Sequence, residues 1–328
     1  MQEFNDLTKR AQGLRLRSLA INVLSQDYGY IDADMTLLSM HSFNTMFRVR
    51  VDDRKFVLRV GDACRIHAVG VEDIEAKWLA SLCDAGFGSP RNIPTSNGRH
   101  WTTIARSGVP EPRNCSLFTW VKGRPLSSHL AASSSNRELM MAAGALLAQL
   151  HGQAAGHDHG PIPPEVIADR VVYFHEENRV VDYQSRHGGL FAEAIDRVQR
   201  FLDDLWRSPP HRPHLLHGDF GVHNVLVHRG RLNPIDFQDL QSGFAVQDVA
   251  LTIADLQRSR PELVEPFRVG YESSRPWPEL TPPMQEVFSA ARSLNVMNLG
   301  LHLRRAGFAD RLDDHAARIA KWMTGHEA

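Results

Sequence analysis

Residues 216–236 read LHGDFGVHNVLVHRGRLNPID. The stretch holds a carboxylate, Asp219, then a carboxamide five residues on, Asn224, then a second carboxylate twelve further, Asp236. Val225, Leu226 and Val227 have the composition of a strand, Arg229-Gly230 of a turn, and Leu232 to Ile235 of the return strand. A tight hairpin brings its two ends together. Asn224 and Asp236 then stand at one mouth and can share a divalent cation, with Asp219 in the loop just before. Oxygen ligands of this kind suit a hard ion such as Mg²⁺, which keeps positions open for water and phosphate. Taken singly, Asp219 and Asn224 would be turn residues. Together they are set among apolar runs (Leu215-Leu216, Val225 to Val227, Ile235, Phe237). Polar groups recurring at strand ends in such a segment are better explained by a site than by solvation.

Composition bounds the class. The 328 residues, 42% of them hydrophobic, suffice for a large core or two lobes. With 37 basic and 38 acidic residues the net charge is −1, which gives no electrostatic case for a nucleic acid or an anionic membrane as partner. Cys64, Cys83 and Cys115 are too few and scattered for a disulfide framework, and no C-x-x-C occurs, so a reducing cytoplasm is expected. The N-terminal MQEFNDLTKR has no apolar signal core. The longest apolar stretch, residues 139–150, is interrupted by Gly144 and Gln149 and reads as a buried helix too short to span a bilayer.

The first hundred residues have the pattern of a small mixed lobe. Leu7, Leu14, Leu19, Val23 and Leu24 have helical spacing within residues 5–28. Residues 36–40, 46–51 and 55–60 follow as strands, the last two joined by an Asp52-Asp53 turn. Arg59 is the polar exception in the otherwise apolar run Phe56 to Val60. Residues 72–84 form an amphipathic helix with Ile74, Trp78, Leu79 and Leu82 as its stripe, Glu72 and Asp73 at its positive end, and Gly86 beyond its close. A polar loop (86–100), a strand (101–104), a Pro- and Gly-containing loop (107–114) and an apolar strand (116–121) lead to the turn Lys122-Gly123-Arg124-Pro125. Helical patterns then occupy residues 136–151, 245–258, 262–273, 283–305 and 310–324, with a break at Trp277-Pro278.

HGDFGVHN followed by PIDFQD resembles the catalytic loop and metal-binding segment of the aminoglycoside phosphotransferase and choline kinase superfamily. The resemblance runs from about Leu37 to the end of the helical part. It implies an α+β, two-lobed, protein-kinase-like fold: residues 1–116 as a nucleotide-binding lobe with a leading helix and a small antiparallel sheet, 117–123 as a hinge, and 124–328 as a larger, mainly helical catalytic and substrate lobe. It further implies ATP and Mg²⁺ as cofactors and a small-molecule hydroxyl as acceptor. Asp219 resembles the catalytic Asp that takes the hydroxyl proton, and Asn224 and Asp236 resemble the Mg²⁺ ligands. The segment here is Asp236-Phe237-Gln238, without the glycine of D-F-G, which argues against a regulated activation loop. Arg59 stands where the family strand has a Lys on the α and β phosphates, and arginine can grip two phosphate oxygens. Glu75, with Glu72 as second choice, resembles its helix partner. Ser42-Phe43-Asn44-Thr45 occupies the place of the phosphate-covering loop; it has no glycine, and Asn44 and Thr45 would offer backbone or side-chain groups to phosphate. Backbone groups near Phe118 to Trp120 would meet the adenine. Asp248 resembles a buried Asp that holds the catalytic loop by backbone hydrogen bonds. His217 is expected to be a packed core imidazole, and His151 a helix-end residue.

Three other functions fit parts of the sequence. A bacterial stress-response-type Ser/Thr protein kinase differs only in its acceptor. A nucleotide-binding pseudokinase fits Arg59 and the glycine-free loop. A metallohydrolase fits the H-x-D-x-x-x-H run of His217, Asp219 and His223, yet leaves Asn224 and Asp236 without a role. The helical region mixes Glu176, Glu177 and Asp182 with Arg258, Arg260, Arg304 and Arg305, so a pocket for a polycationic aminoglycoside is not favoured. The acceptor and the oligomeric state are not specified by the sequence.

Overall fold

The computed structural model describes residues 3–40, 44–62, 67–68, 70–132, 136–172, 177–181, 183, 189–303 and 309–325. Ser42, Phe43, Cys64, Glu176, Asp182, Arg304 and Arg305 lie outside the described residues. The chain divides into two compact units, residues 1–65 with 72–122, and residues 66–71 with 123–328.

The first unit begins with α1 (Lys9–Gln26), whose N-terminus is capped by Thr8 Oγ1 accepting from the Ala11 N–H at 3.3 Å. Leu16, Leu19, Ala20, Val23 and Leu24 recur at helical spacing and are buried. They pack with Phe47, Val49, Leu58, Val60 and Leu117 of the sheet into one core. The sheet is antiparallel in the order β1 (Asp34–Met40), β2 (Asn44–Val51), β3 (Arg54–Gly61), β6 (Val109–Thr119), β4 (Asn92–Ile93), with β5 (Thr102–Arg106) also on β6. Asp52, at φ +52°, turns β2 into β3, a conformation Asp tolerates better than most side chains. The helix α2 (Val71–Asp84) buries Trp78, Leu79 and Leu82 completely.

One loop expected from the sequence is a strand. Residues 109–114 are the first half of β6, paired with β5 around a register shift between Ile104 and Arg106. Pro110 and Pro112 argued for a loop because proline cannot donate to a ladder. Here they flank Glu111, which has φ +59°, opposite the irregularity where no regular bond is required.

The second unit is mainly helical. It comprises β7 (Arg124–Pro125), α3 (Leu126–Ala132), α4 (Asn136–Gly156), α5 (Leu190–Arg207), β8 (His214–Leu216), β9 (Val225–His228), β10 (Arg231–Pro234), β11 (Gln241–Gly243), α6 (Ala245–Ser259), α7 (Val264–Glu272), α8 (Pro282–Leu303) and α9 (Ala309–Thr324). The sequence reading has no counterpart for α5. Its Phe191, Ala194, Val198 and Leu202 are buried at spacings of three and four, and they join Phe244, Leu294, Met297 and Ile319 in the unit's core.

The helices α4 and α7 cross on two glycines. A Cβ on Gly144 would stand 1.9 Å from the Phe267 carbonyl oxygen, and one on Gly270 1.8 Å from that of Met141. Only hydrogen fits at either place, so the backbones approach closely and α4 is held across its middle. The inner face of α4 carries His151, and α6, which carries Asp248, lies in the same unit. Among the described residues, no helix is long and apolar enough to cross a membrane.

Candidate active site

The expected hairpin is present. Strand β9 pairs with β10, Val225 opposite Pro234 and His228 opposite Arg231, across an Arg229-Gly230 turn in which both residues have positive φ. The register continues one step past the ladder, where the Ile235 N–H donates to the Asn224 carbonyl at 2.9 Å. Asp236 therefore leaves the hairpin directly beyond Asn224's partner. It has φ +63° and its side chain is exposed.

The loop between β8 and β9 is fixed from three sides. The Asp248 carboxylate, fully buried on α6, accepts from the backbone N–H of His217 (Oδ2, 2.8 Å) and of Gly218 (Oδ1, 3.1 Å). His151 Nε2 lies 3.2 Å from the same Oδ2, and its Nδ1 lies 2.8 Å from the Tyr271 hydroxyl. Burial alone would raise the Asp248 carboxyl, but His151 and the loop N–H groups outweigh it and hold the group below its usual range. His151 is thus more than a helix end. Gly218 has φ +78°, and a Cβ there would lie 1.9 Å from the Asp239 carbonyl oxygen. Thr252 Oγ1 donates to the Phe220 carbonyl at 2.8 Å. His217 is a buried imidazole, as expected: Nδ1 accepts from the Asp219 N–H (3.4 Å), which leaves Nε2 to donate to the Ile235 carbonyl (3.1 Å). Both nitrogens are committed to the loop. Among the described residues, no group of three or more His, Cys, Asp or Glu side chains is placed to hold a metal ion, so the H-x-D-x-x-x-H spacing does not build a zinc centre.

Asn224 Nδ2 donates to both the backbone oxygen (2.9 Å) and Oδ2 (3.0 Å) of Asp219. The amide orientation is thereby set, and its Oδ1 is turned away from Asp219. That oxygen and the exposed Asp236 carboxylate are hard donors of the kind Mg²⁺ takes while keeping several waters.

Asp219 has two basic neighbours. Arg292 of α8 lies 3.0 Å from its Oδ1, and His223 Nε2 lies 3.6 Å from Oδ2. Burial works to raise the carboxyl, but His223, then Arg292, pull it down to about 2. Reciprocally, Asp219 raises the His223 imidazole above its ordinary value, with a smaller push from Asp236. Arg292 also reaches Asp239 Oδ2 at 3.8 Å, and Asp239 Oδ1 lies 2.7 Å from His67 Nε2. Neither Arg292 nor Asp239 is a motif residue with an expected role. No local pattern marks Arg292: its chain neighbours Ala290, Ala291, Ser293 and Leu294 are consecutive, so they lie on all sides of the helix and define no apolar face around it.

In the first unit, Arg59 sits on an interior strand and is buried, not facing solvent from an edge. Its guanidinium meets Glu75 of α2 in a two-pronged pair, Nη1–Oε1 2.9 Å and Nη2–Oε2 2.5 Å, and lies 4.8 Å from the Phe118 ring centre. Glu72 instead accepts from Asn114 Nδ2 at 3.1 Å. Two expectations need adjustment. Thr45 is buried inside β2 with its backbone paired to Met40 and Val60, and Asn44 opens that strand opposite Gly61, so neither belongs to a free loop. The N–H groups of Thr119 and Trp120 already donate to Arg91 and Lys55 carbonyls (2.9 and 3.2 Å). Within 118–120 these two donors belong to the sheet.

A small antiparallel-sheet unit and a mainly helical unit are the architecture of the kinase structures that this chain resembles. The sequence matches the phosphotransferase enzyme family over residues 35–286, and the chain belongs to that family. Three solved structures share the fold. The amicoumacin kinase hAmiN, in complex with AMP-PNP, Ca²⁺ and Ami, has a TM-score of 0.70 at 16% identity, covering 96% of this chain and 94% of that one. The microcompartment-associated aminopropanol kinase has 0.65 at 20% identity, covering 93% and 95%. The aminoglycoside phosphotransferase APH(4)-Ia, in a ternary complex with ADP and hygromycin B, has 0.62 at 18% identity, covering 94% and 99%. No curated protein sequence matches.

Proposed function

We propose that this phosphotransferase moves the γ-phosphoryl group of ATP to a hydroxyl of a small molecule. The observation that carries this is the Asn224–Asp219 geometry: one amide fixes the carboxylate through its nitrogen and keeps its own oxygen off Asp219, while Asp236 leaves the hairpin one residue beyond Asn224's backbone partner Ile235. Family membership and the nucleotides bound by the structural relatives support it.

Asp219 orients the acceptor hydroxyl and receives its proton. The acceptor oxygen bonds to the γ-phosphorus as the bond to the β–γ bridging oxygen breaks, and ADP leaves. The transition state is loose, so the oxygen keeps its proton until late and a carboxylate of low basicity suffices. Bound on Asn224 and Asp236, Mg²⁺ would offset charge on the phosphates. Arg59 is held by Glu75 within the first unit. Replacing Asp219 by Asn removes the proton acceptor while keeping the size of the side chain. Transfer from radiolabelled ATP across a hydroxyl-compound panel should fall by about 10²–10⁴-fold, with Mg·ATP binding retained. Undiminished turnover in that variant would remove the mechanism.

A further inference from the structure

A cavity of about 140 Å³ opens beside Asp219 within the second unit. It is smaller than the ~300–1,000 Å³ typical of sites for drug-sized ligands. Its charged wall comes from three helices and the loop: Asp255 and Arg258 of α6, Arg292 of α8, His315 and Arg318 of α9, and Asp219 itself. The two carboxylates are matched. Arg292 pairs with Asp219 at 3.0 Å, and Arg258 pairs with Asp255. Arg318 is exposed and has no carboxylate at ion-pair distance among the described residues, so the wall carries an excess positive charge. His315 reports the same field. Burial, then Arg318, Arg258 and Arg292, push its imidazole down to about 4, so it is neutral at pH 7. Its Nδ1 is buried without a hydrogen-bond partner among the described residues. A buried polar atom left so is costly unless something supplies the missing bond.

We propose that the hydroxyl acceptor of this enzyme carries an anionic group, a carboxylate or a phosphate, received by Arg318 while the hydroxyl lies at Asp219. A polycation would meet a wall whose excess charge, that of Arg318, has its own sign. An anion gains charge-assisted hydrogen bonds from a donor that has no internal partner to give up. The inference takes the phosphotransferase function above as given for the hydroxyl, but the anion preference belongs to the pocket and can be measured without nucleotide.

Calorimetric titration of the full chain with four matched compounds tests it: glycerate, glycerol 3-phosphate, glycerol and 3-amino-1,2-propanediol. The anionic members should bind about tenfold or more tightly than glycerol, and the amine most weakly. The order of glycerate and glycerol 3-phosphate tells which anion is taken. Arg318→Gln should abolish the preference, while Lys321→Gln, on the same helix but outside the cavity, should keep it. Equal affinities, tightest binding of the amine, no binding by any of the four, or a preference that survives Arg318→Gln would each overturn the proposal. Mg·ATP binding is titrated separately on the same protein. Its absence would remove the phosphotransferase mechanism and leave the anion result standing.

Discussion

Arg292 and Asp219 are locked together at 3.0 Å, on the carboxylate oxygen that Asn224 does not occupy. The proposed base is therefore held from both oxygens before any substrate arrives. Arg292 is one of the groups that keep this carboxyl ionised against burial. Arg292→Met removes that charge and leaves His223 as the main remaining counterweight to burial, so the Asp219 carboxyl rises toward its ordinary range. The acid limb of kcat/KM against pH should move to higher pH in the variant. An acid limb that stays in place would show that Arg292 does not govern the ionisation of Asp219.

Asp248 gathers three donors in the core: two loop N–H groups and His151. Asp248→Asn replaces one acceptor oxygen by an NH₂ group, which then faces a donor and leaves it unpaired. Breaking one partner of such a buried charged network costs about 3–5 kcal/mol. Urea unfolding should show a loss of that order. Because the loop hangs from this carboxylate, phosphotransferase activity should fall further than the folded fraction does.

The site was more legible in the sequence than the lobe that surrounds it. The placement of Asn224 and Asp236 at the two ends of the hairpin was legible because a hairpin has fixed geometry: two strands and a turn leave little choice about which residues meet at its mouth. The Arg59–Glu75 pair was expected from the family resemblance, in which a helix Glu meets the strand cation; the apolar run Phe56 to Val60 singles out Arg59 but names no partner. Pattern alone was silent on Arg292 and Asp239. Arg292 reaches Asp219 from a helix some seventy residues later in the chain, and Asp239 meets Arg292 from a loop; neither placement leaves a local period to read. Residues 109–114 were misjudged for the opposite reason. Two prolines gave a strong local signal, and a strand irregularity overrode it.

The α4–α7 crossing gives a sharp packing test. Gly144→Ala and Gly270→Ala each force a methyl group into a backbone carbonyl at under 2 Å, so the helices must separate. Overpacking of this kind costs about 1–3 kcal/mol or more. Gly156, at the end of the same helix, has open space around its added Cβ. Gly156→Ala should be neutral or slightly stabilising through lower chain entropy in the unfolded state. Thermal melts of the three variants should separate the two crossing glycines clearly from the third. Equal melting temperatures would mean that the crossing does not hold the unit together.

His214 should give the protein a stability that depends on pH. It is buried in β8, and neither ring nitrogen has a hydrogen bond among the described residues. Burial, then the neighbouring His151 and His211, push its imidazole down to about 3. In the unfolded chain the same group titrates near ~6.5. Between those values the unfolded state binds the proton and the folded state does not, so stability rises with pH and falls as the solution is acidified below about 6.5. The slope from one such group is at most about 1.4 kcal/mol per pH unit. His223 acts in the opposite sense, since its raised imidazole lends stability at low pH and loses it as pH climbs, but it is exposed and screened. Asp219 and Asp248, both depressed, begin to matter only below the ordinary carboxylate range. The window from pH 6.5 to 5 therefore belongs mainly to histidines held neutral, His214 foremost. His214→Leu keeps the burial and removes the proton site. Urea unfolding free energies measured across that window should decline less steeply in the variant than in the parent. Parallel profiles would mean that His214 is protonated in the folded state after all and has found a partner for its charge.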